Sequence, residues 1–311
     1  MKSSSSNYRR YLDPRTLAKA QALELRARNI VEGLLTGMHR SPYQGSSVEF
    51  AQHRQYVAGD DTRHLDWRVY GRSDRLYIKQ FQEETNLPLM LVVDASQSMG
   101  FGSVAGRQQA PYGEVWTKFD HATSIAAILS YMAIRQQDSV GLAIFDQTLS
   151  RFFKPSNAPT QWKLVVEELT HVPKWNKTDT GKILDQVAEK LTHRSLIVVM
   201  SDFFDDLSSI KRGLRHLRYR KHEVIMLQVL DRQELTFPFE EITKFKGLEE
   251  LGELLTEPRG LRDAYLEQLN AATDELKRIC RGMGIDYTQF DTAEPLDAQL
   301  AGFLATRAST M

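Results

Sequence analysis

From Pro88 onward the apolar residues fall into short unbroken runs, separated by longer stretches in which they recur every three or four positions. Leu89–Asp94 is one such run, and 139–145, 196–201 and 224–230 are others, while the more polar segments 149–153 and 285–290 read as further strands. Unbroken apolar runs of this length mark strands covered on both faces, as in parallel sheets. The intervening stretches, near 118–136, 160–170, 181–192, 207–220, 259–282 and 295–307, carry helical spacing. Strand and helix in alternation predict an α/β fold with a doubly wound, mostly parallel sheet. The one short connection, Phe145 to Leu149, reads as a hairpin turn that makes one edge antiparallel.

Ahead of Pro88 the period changes. Residues 1–12 are serine-rich and polar, the composition of a disordered terminus. A helix is expected from Asp13 and Pro14, a cap followed by a first-turn proline, with Leu17, Ala20, Leu23, Leu25, Ile30, Val31 and Leu34 on its apolar face and Gly37 as its stop. Residues 47–53 and 75–83 alternate as half-buried strands do, with the Gly59-Asp60-Asp61 turn between them. The chain therefore divides into a terminus (1–12), an N-terminal helix with a small β-rich accessory unit (13–87) and a sheet domain (88–311). Residues 232–258 read as a β-ribbon inserted in that domain and pairing with the strands of the accessory unit.

Composition narrows the function classes. The 311 residues carry 40 acidic and 40 basic side chains, so no overall field draws the protein to nucleic acid. The basic stretch 211–222 has Leu207, Ile210, Leu214 and Leu217 on its other side and reads as the solvated face of an amphipathic helix. No apolar run has the length of a membrane span or the form of a signal peptide, and Cys280 is the only cysteine, suited to a packed thiol. These features point to a cytoplasmic protein without an integral membrane segment. The eight histidines show no zinc-ligand spacing.

The candidate chemistry lies where apolar runs end in oxygen side chains. The first run stops at Asp94, Ser96 and Ser98, the fourth at Asp202, and a polar loop containing Thr178 opens the helix near 181. Carboxylates and hydroxyls are hard donors suited to Mg²⁺ or Mn²⁺, and open α/β sheets place ligands at the carboxyl ends of their strands. In type and order, Asp94, Ser96, Ser98, Thr178 and Asp202 resemble the metal-ion-dependent adhesion site (MIDAS) of von Willebrand factor A domains. That resemblance implies a bound cation with a position open to a Glu or Asp carboxylate of a protein partner.

A second resemblance is carried by Tyr56-Val57-Ala58-Gly59-Asp60-Asp61-Thr62-Arg63, with Asp66-Trp67 behind it and Phe81-Gln82-Glu83-Glu84 ahead of the metal strand. This pattern is similar to that of the bacterial family called domain of unknown function 58, over roughly residue 20 to the end. It implies a von Willebrand factor A-like domain acting with a MoxR-type AAA+ ATPase in the assembly or activation of other proteins. Many relatives carry two membrane helices near the N-terminus, and no corresponding apolar segments occur here.

Asp60, Asp61, Asp66 and Trp67 read first as turn chemistry with a buried aromatic anchor, and second as partner contacts. Phe203 and Phe204, directly after Asp202, are candidate exposed contacts beside the metal. The Gly100–Gly113 stretch is expected to be mobile and close to the site. A hydrolase is disfavoured: the chain has no Gly-x-Ser-x-Gly elbow, no phosphate-cradling loop and no carboxylate-rich two-metal set. The expectation is a binding module and not an enzyme, with an unoccupied structural scaffold as a further alternative.

Overall fold

A computed structural model describes residues 49–57, 65–82, 87–103, 115–158, 160–171, 179–239, 243–246, 253–256 and 258–310. The helix expected from Asp13, the Gly59-Asp60-Asp61 turn, Thr178 and most of the Gly100–Gly113 stretch lie outside these residues. The first described unit is a hairpin of β1 (Glu49–Gln55) and β2 (Tyr77–Gln82), with the short helix α1 (Trp67–Ser73) between them.

The main sheet has six described strands: β3 (Leu89–Asp94), β4 (Val140–Phe145), β5 (Leu149–Ser156), β6 (Leu196–Ser201), β7 (Glu223–Leu230) and β10 (Asp286–Asp291), in the spatial order β10-β7-β6-β3-β4-β5. All neighbours pair in parallel except β4 and β5, which form the antiparallel edge. The intervening helices are α2 (Lys118–Arg135), α3 (Gln161–Leu169), α4 (Thr180–Lys190), α5 (Leu207–Tyr219), α6 (Arg232–Thr236), α7 (Pro258–Gly282) and α8 (Leu296–Thr310).

Every strand residue from Leu89 to Asp94 is buried because both faces are covered. Leu89, Leu91 and Val93 pack with α2, α3 and α8, whereas Met90 and Val92 pack with α4, α5 and α7. Each such side chain taken fully out of water contributes about 1.5–3 kcal/mol, so the alternating residues of a single strand stabilise both layers. The α4–α5 contact is unusually close: a Cβ on Gly181 would stand 2.1 Å from Ser209 Oγ, so only glycine admits this approach. Ile210, Leu214 and Leu217 are buried beneath α5, as its amphipathic pattern requires. Cys280 is also buried, which pushes its thiol up to about 12 and leaves it a packing residue.

Strands β8 (Thr243–Lys246) and β9 (Glu253–Thr256) form the expected ribbon, but among the described residues β8 pairs with β9 and β1 with β2. Among the described residues there is no pairing between the ribbon and the accessory unit. The stretch before the ribbon is not extended either. Asp231 caps α6, and a reciprocal contact from Glu234 closes a capping box. No helix of the described residues is long and apolar enough to cross a membrane.

Candidate metal centre

The chain runs from β3 outward to β4 and β5, then returns to the other side of β3 as β6. That reversal opens a crevice at the carboxyl ends of β3 and β6, the position where doubly wound sheets bind ligands. Asp94 closes β3, and Asp202 directly follows β6.

Beyond Asp94 the backbone turns tightly, with Met99 N–H donating to the Ser96 carbonyl and the Met99 side chain wholly buried. The buried methionine anchors the turn and brings Ser96 Oγ to 3.1 Å from Ser98 Oγ. Asp94 and Ser96 have no solvent exposure. Asp94 Oδ1 accepts from Ser96 N–H at 2.8 Å, and its Oδ2 accepts from Ser201 Oγ at 2.5 Å. Both partners are neutral. Burial, and then the charge of Asp202, push the Asp94 carboxyl up to about 7 despite these hydrogen bonds.

Asp202 is held differently. Its Oδ2 receives Lys118 Nζ at 2.8 Å, and the same ammonium donates to Glu234 Oε1 at 2.6 Å. Lys118 is fully buried. Burial pulls it toward neutrality, but Asp202 and Glu234 outweigh that and hold its affinity for a proton above the ordinary lysine range. Glu234 is raised by burial in spite of Lys118; the ammonium, with a carboxylate on each side, is the member that stays charged.

The Asp202 carbonyl accepts from Gln228 Nε2 at 2.9 Å, and Phe203 follows with a left-handed φ of 57°. That conformation is unfavourable for a residue with a side chain. It is retained because the Phe203 ring is buried and its N–H donates to Ser201 Oγ. Phe203 is thus a core residue and not the exposed contact its position suggested. The reversal turns Phe204 the other way, 47% exposed, with Lys118 Nζ 4.9 Å from its ring centroid.

Asp66 and Trp67 stand on α1. Asp66 is buried and caps the helix by accepting from Arg68 and Val69 N–H. Trp67 is 64% exposed and meets Tyr70 edge-on, so the buried-anchor reading is corrected: the capping geometry turns this side chain outward. Asp60 and Asp61 lie outside the described residues, as does Thr178. Two residues beyond Thr178, Thr180 is buried and donates through Oγ1 to Asp205 Oδ2 at 2.5 Å, tying the start of α4 to the loop after β6.

Of the expected ligands, the structure brings Asp94, Ser96, Ser98 and Asp202 to one end of the sheet. Among the described residues no three His, Cys, Asp or Glu side chains cluster as a metal cage, so hydroxyls would have to supply part of any coordination. The donor chemistry fits a hard dication: Asp94 is buried, held among the described residues only by neutral groups and pushed up by a like charge, which is the electrostatic condition a bound cation relieves.

Lys118, Ser201, Asp205 and Glu234 were not among the sequence candidates. Lys118 carried one signal, a cation in the first turn of a helix, where the macrodipole disfavours it. Glu234 carried another, the Asp231-x-x-Glu234 spacing of a capping box.

The "Uncharacterized protein Rv1480" of Mycobacterium tuberculosis is 25% identical over 300 residues, covering 95% of this chain and 90% of that protein. The "Uncharacterized protein Mb1516" of Mycobacterium bovis matches with the same values. Among solved structures, the conserved hypothetical protein BatB from Bacteroides thetaiotaomicron gives a TM-score of 0.45 at 13% identity, covering 71% of this chain and 98% of that one. An aerotolerance-related membrane protein from Bacteroides fragilis gives 0.45 at 15% identity, covering 72% and 98%. Residues 52–275 match the family described as "Protein of unknown function DUF58", and with this match spanning most of its length the chain belongs to that family.

Proposed function

We propose that the protein is a metal-dependent protein-binding module whose site is the crevice at the ends of β3 and β6. The carrying observation is the buried Asp94 carboxylate, bonded among the described residues only to neutral donors and set beside the paired hydroxyls of Ser96 and Ser98. Asp94, Ser96 and Ser98 would hold Mg²⁺ or Mn²⁺, with Asp202 and Thr178 completing the set. A bound cation of this kind supplies a Lewis-acidic position for an incoming oxygen ligand. The chain's own part is to keep the donors fixed and dry: Met99 anchors the serine turn, Ser201 and Ser96 N–H orient Asp94, and Gln228 fixes the backbone at Asp202.

The partner would offer a Glu or Asp carboxylate to that position and pack against the exposed Phe204 ring. We take the partner to be a MoxR-type AAA+ ATPase, in keeping with the family resemblance, and the protein to act as its adaptor in the cytoplasm, where ATP is available. Binding is preferred to catalysis because the sequence offers no Gly-x-Ser-x-Gly elbow, no phosphate-cradling loop and no carboxylate-rich two-metal set.

The test is capture of a purified MoxR-type ATPase by the full chain in Mg²⁺, in chelator, and with Ser96→Ala. Capture that needs the cation and falls about tenfold or more in the variant supports the reading. Capture indifferent to both overturns it.

A further inference from the structure

We infer that Lys118 is a built-in competitor for the cation: its ammonium holds Asp202 when no divalent ion is present, and Glu234 retains it when Asp202 turns to the ion. The inference rests on the metal reading above and adds the residue that regulates it.

Neither helix formation nor packing accounts for Lys118. It is the first residue of α2, where the positive end of the macrodipole repels it, and it is wholly buried, where an ammonium loses its hydration. One carboxylate would neutralise it, yet two hold it, at 2.8 Å and 2.6 Å.

The two carboxylates are anchored unequally. Glu234 Oε2 accepts from the Asp231 backbone N–H at 2.8 Å as part of the α6 capping box, so Glu234 keeps its place independently of Asp202. Asp231 is itself fixed, accepting from Ser103 N–H at 3.1 Å and from Thr292 Oγ1 at 2.8 Å. Among the described residues, the other Asp202 oxygen accepts only from the Phe204 N–H, at a long 3.3 Å. Asp202 is the looser partner and stands beside Asp94. A divalent ion and the ammonium are thus rivals for one carboxylate, and Glu234 lets Lys118 remain buried and charged after Asp202 leaves it.

The experiment titrates Mn²⁺ into the full chain, following free Mn²⁺ by its paramagnetic resonance signal, with thermal unfolding in chelator as a second readout. Lys118→Met should tighten Mn²⁺ binding by about ten- to hundredfold, because Asp202 then has no rival cation. The same variant should unfold at lower temperature in chelator and recover when Mn²⁺ is added. Glu234→Gln should weaken binding severalfold, since the ammonium then depends on Asp202 alone. The double variant Lys118→Met with Glu234→Gln avoids leaving Glu234 as an unpaired buried charge, and it should bind Mn²⁺ at least as tightly as the natural protein. If Lys118→Met and the double variant both bind no more tightly than the natural protein, while Asp94→Ala abolishes binding, the competition is overturned and the metal centre stands. Absence of Mn²⁺ uptake in every form overturns the metal reading and this inference together.

Discussion

Strands β3 and β6 lie side by side and deliver a carboxylate each to the same end of the sheet, but the two are neutralised in different ways. Asp94 leans on a serine hydroxyl and an amide, and its proton affinity climbs to about 7. Asp202 is bound to a buried ammonium. Dipoles orient a buried charge well but compensate it poorly, whereas an opposite charge compensates it at the cost of burying a second ion. Both solutions stand at the ends of neighbouring strands, and at Asp94 the compensation comes, among the described residues, from dipoles alone.

The sharpest way to break the comparison is to give Asp202 the condition of Asp94. Lys118→Met in chelator should destabilise the fold by about 3–5 kcal/mol, the usual cost of leaving one member of a buried ion pair alone, as read by urea unfolding. A loss under about 1 kcal/mol would mean that Asp202 and Glu234 relax into water and that the pair is not buried in solution.

The reverse change relieves Asp94. Because its folded-state pKa lies above the unfolded value, the associated stability is fully present below about pH 4 and is lost as pH rises toward about 7. In chelator at pH 8, Asp94→Asn should therefore raise stability by about 1–3 kcal/mol and flatten the stability profile between those limits. An unchanged profile would show that the carboxylate is better solvated than its surroundings indicate.

A third carboxylate sharpens the contrast. Burial raises Asp205, and Thr180 offsets this through its hydroxyl and its N–H. Removing the hydroxyl with Thr180→Val should cost about 1–2 kcal/mol, less than removing the ammonium from Asp202. The smallest effect belongs to the accessory unit: Trp67→Ala should change stability by less than about 0.5 kcal/mol, since its ring is mostly in solvent.

Much of the sheet was legible because both-face burial writes itself as apolar runs; Leu89–Asp94 and Leu196–Ser201 have the bounds their sequences suggested. The convergence of Asp94, Ser96, Ser98 and Asp202 was legible too, since parallel strands place their carboxyl ends together. What escaped depends on conformations that composition does not encode. Phe203 and Phe204 are the same residue type in adjacent positions, and one left-handed φ sends the first inward and the second outward. Trp67 was read inward because large aromatics usually are, but the cap supplied by Asp66 turns it outward. Lys118 and Glu234 belong to separate helices and meet only through tertiary packing.

The bonds that build the crevice span long stretches of chain: Ser201 to Asp94 across 107 residues, Lys118 to Asp202 across 84, Lys118 to Glu234 across 116, and Ser103 to Asp231 across 128. Closures of this length are slow, because loop entropy is lost before any contact compensates it. The β3 turn can form early, but its charge balance waits for β6 and then α6 to leave the ribosome. A nascent chain ending before Asp202 has the serines without the second carboxylate, and one ending before Glu234 has the ammonium without its second anchor. The finished site therefore needs the chain through Glu234.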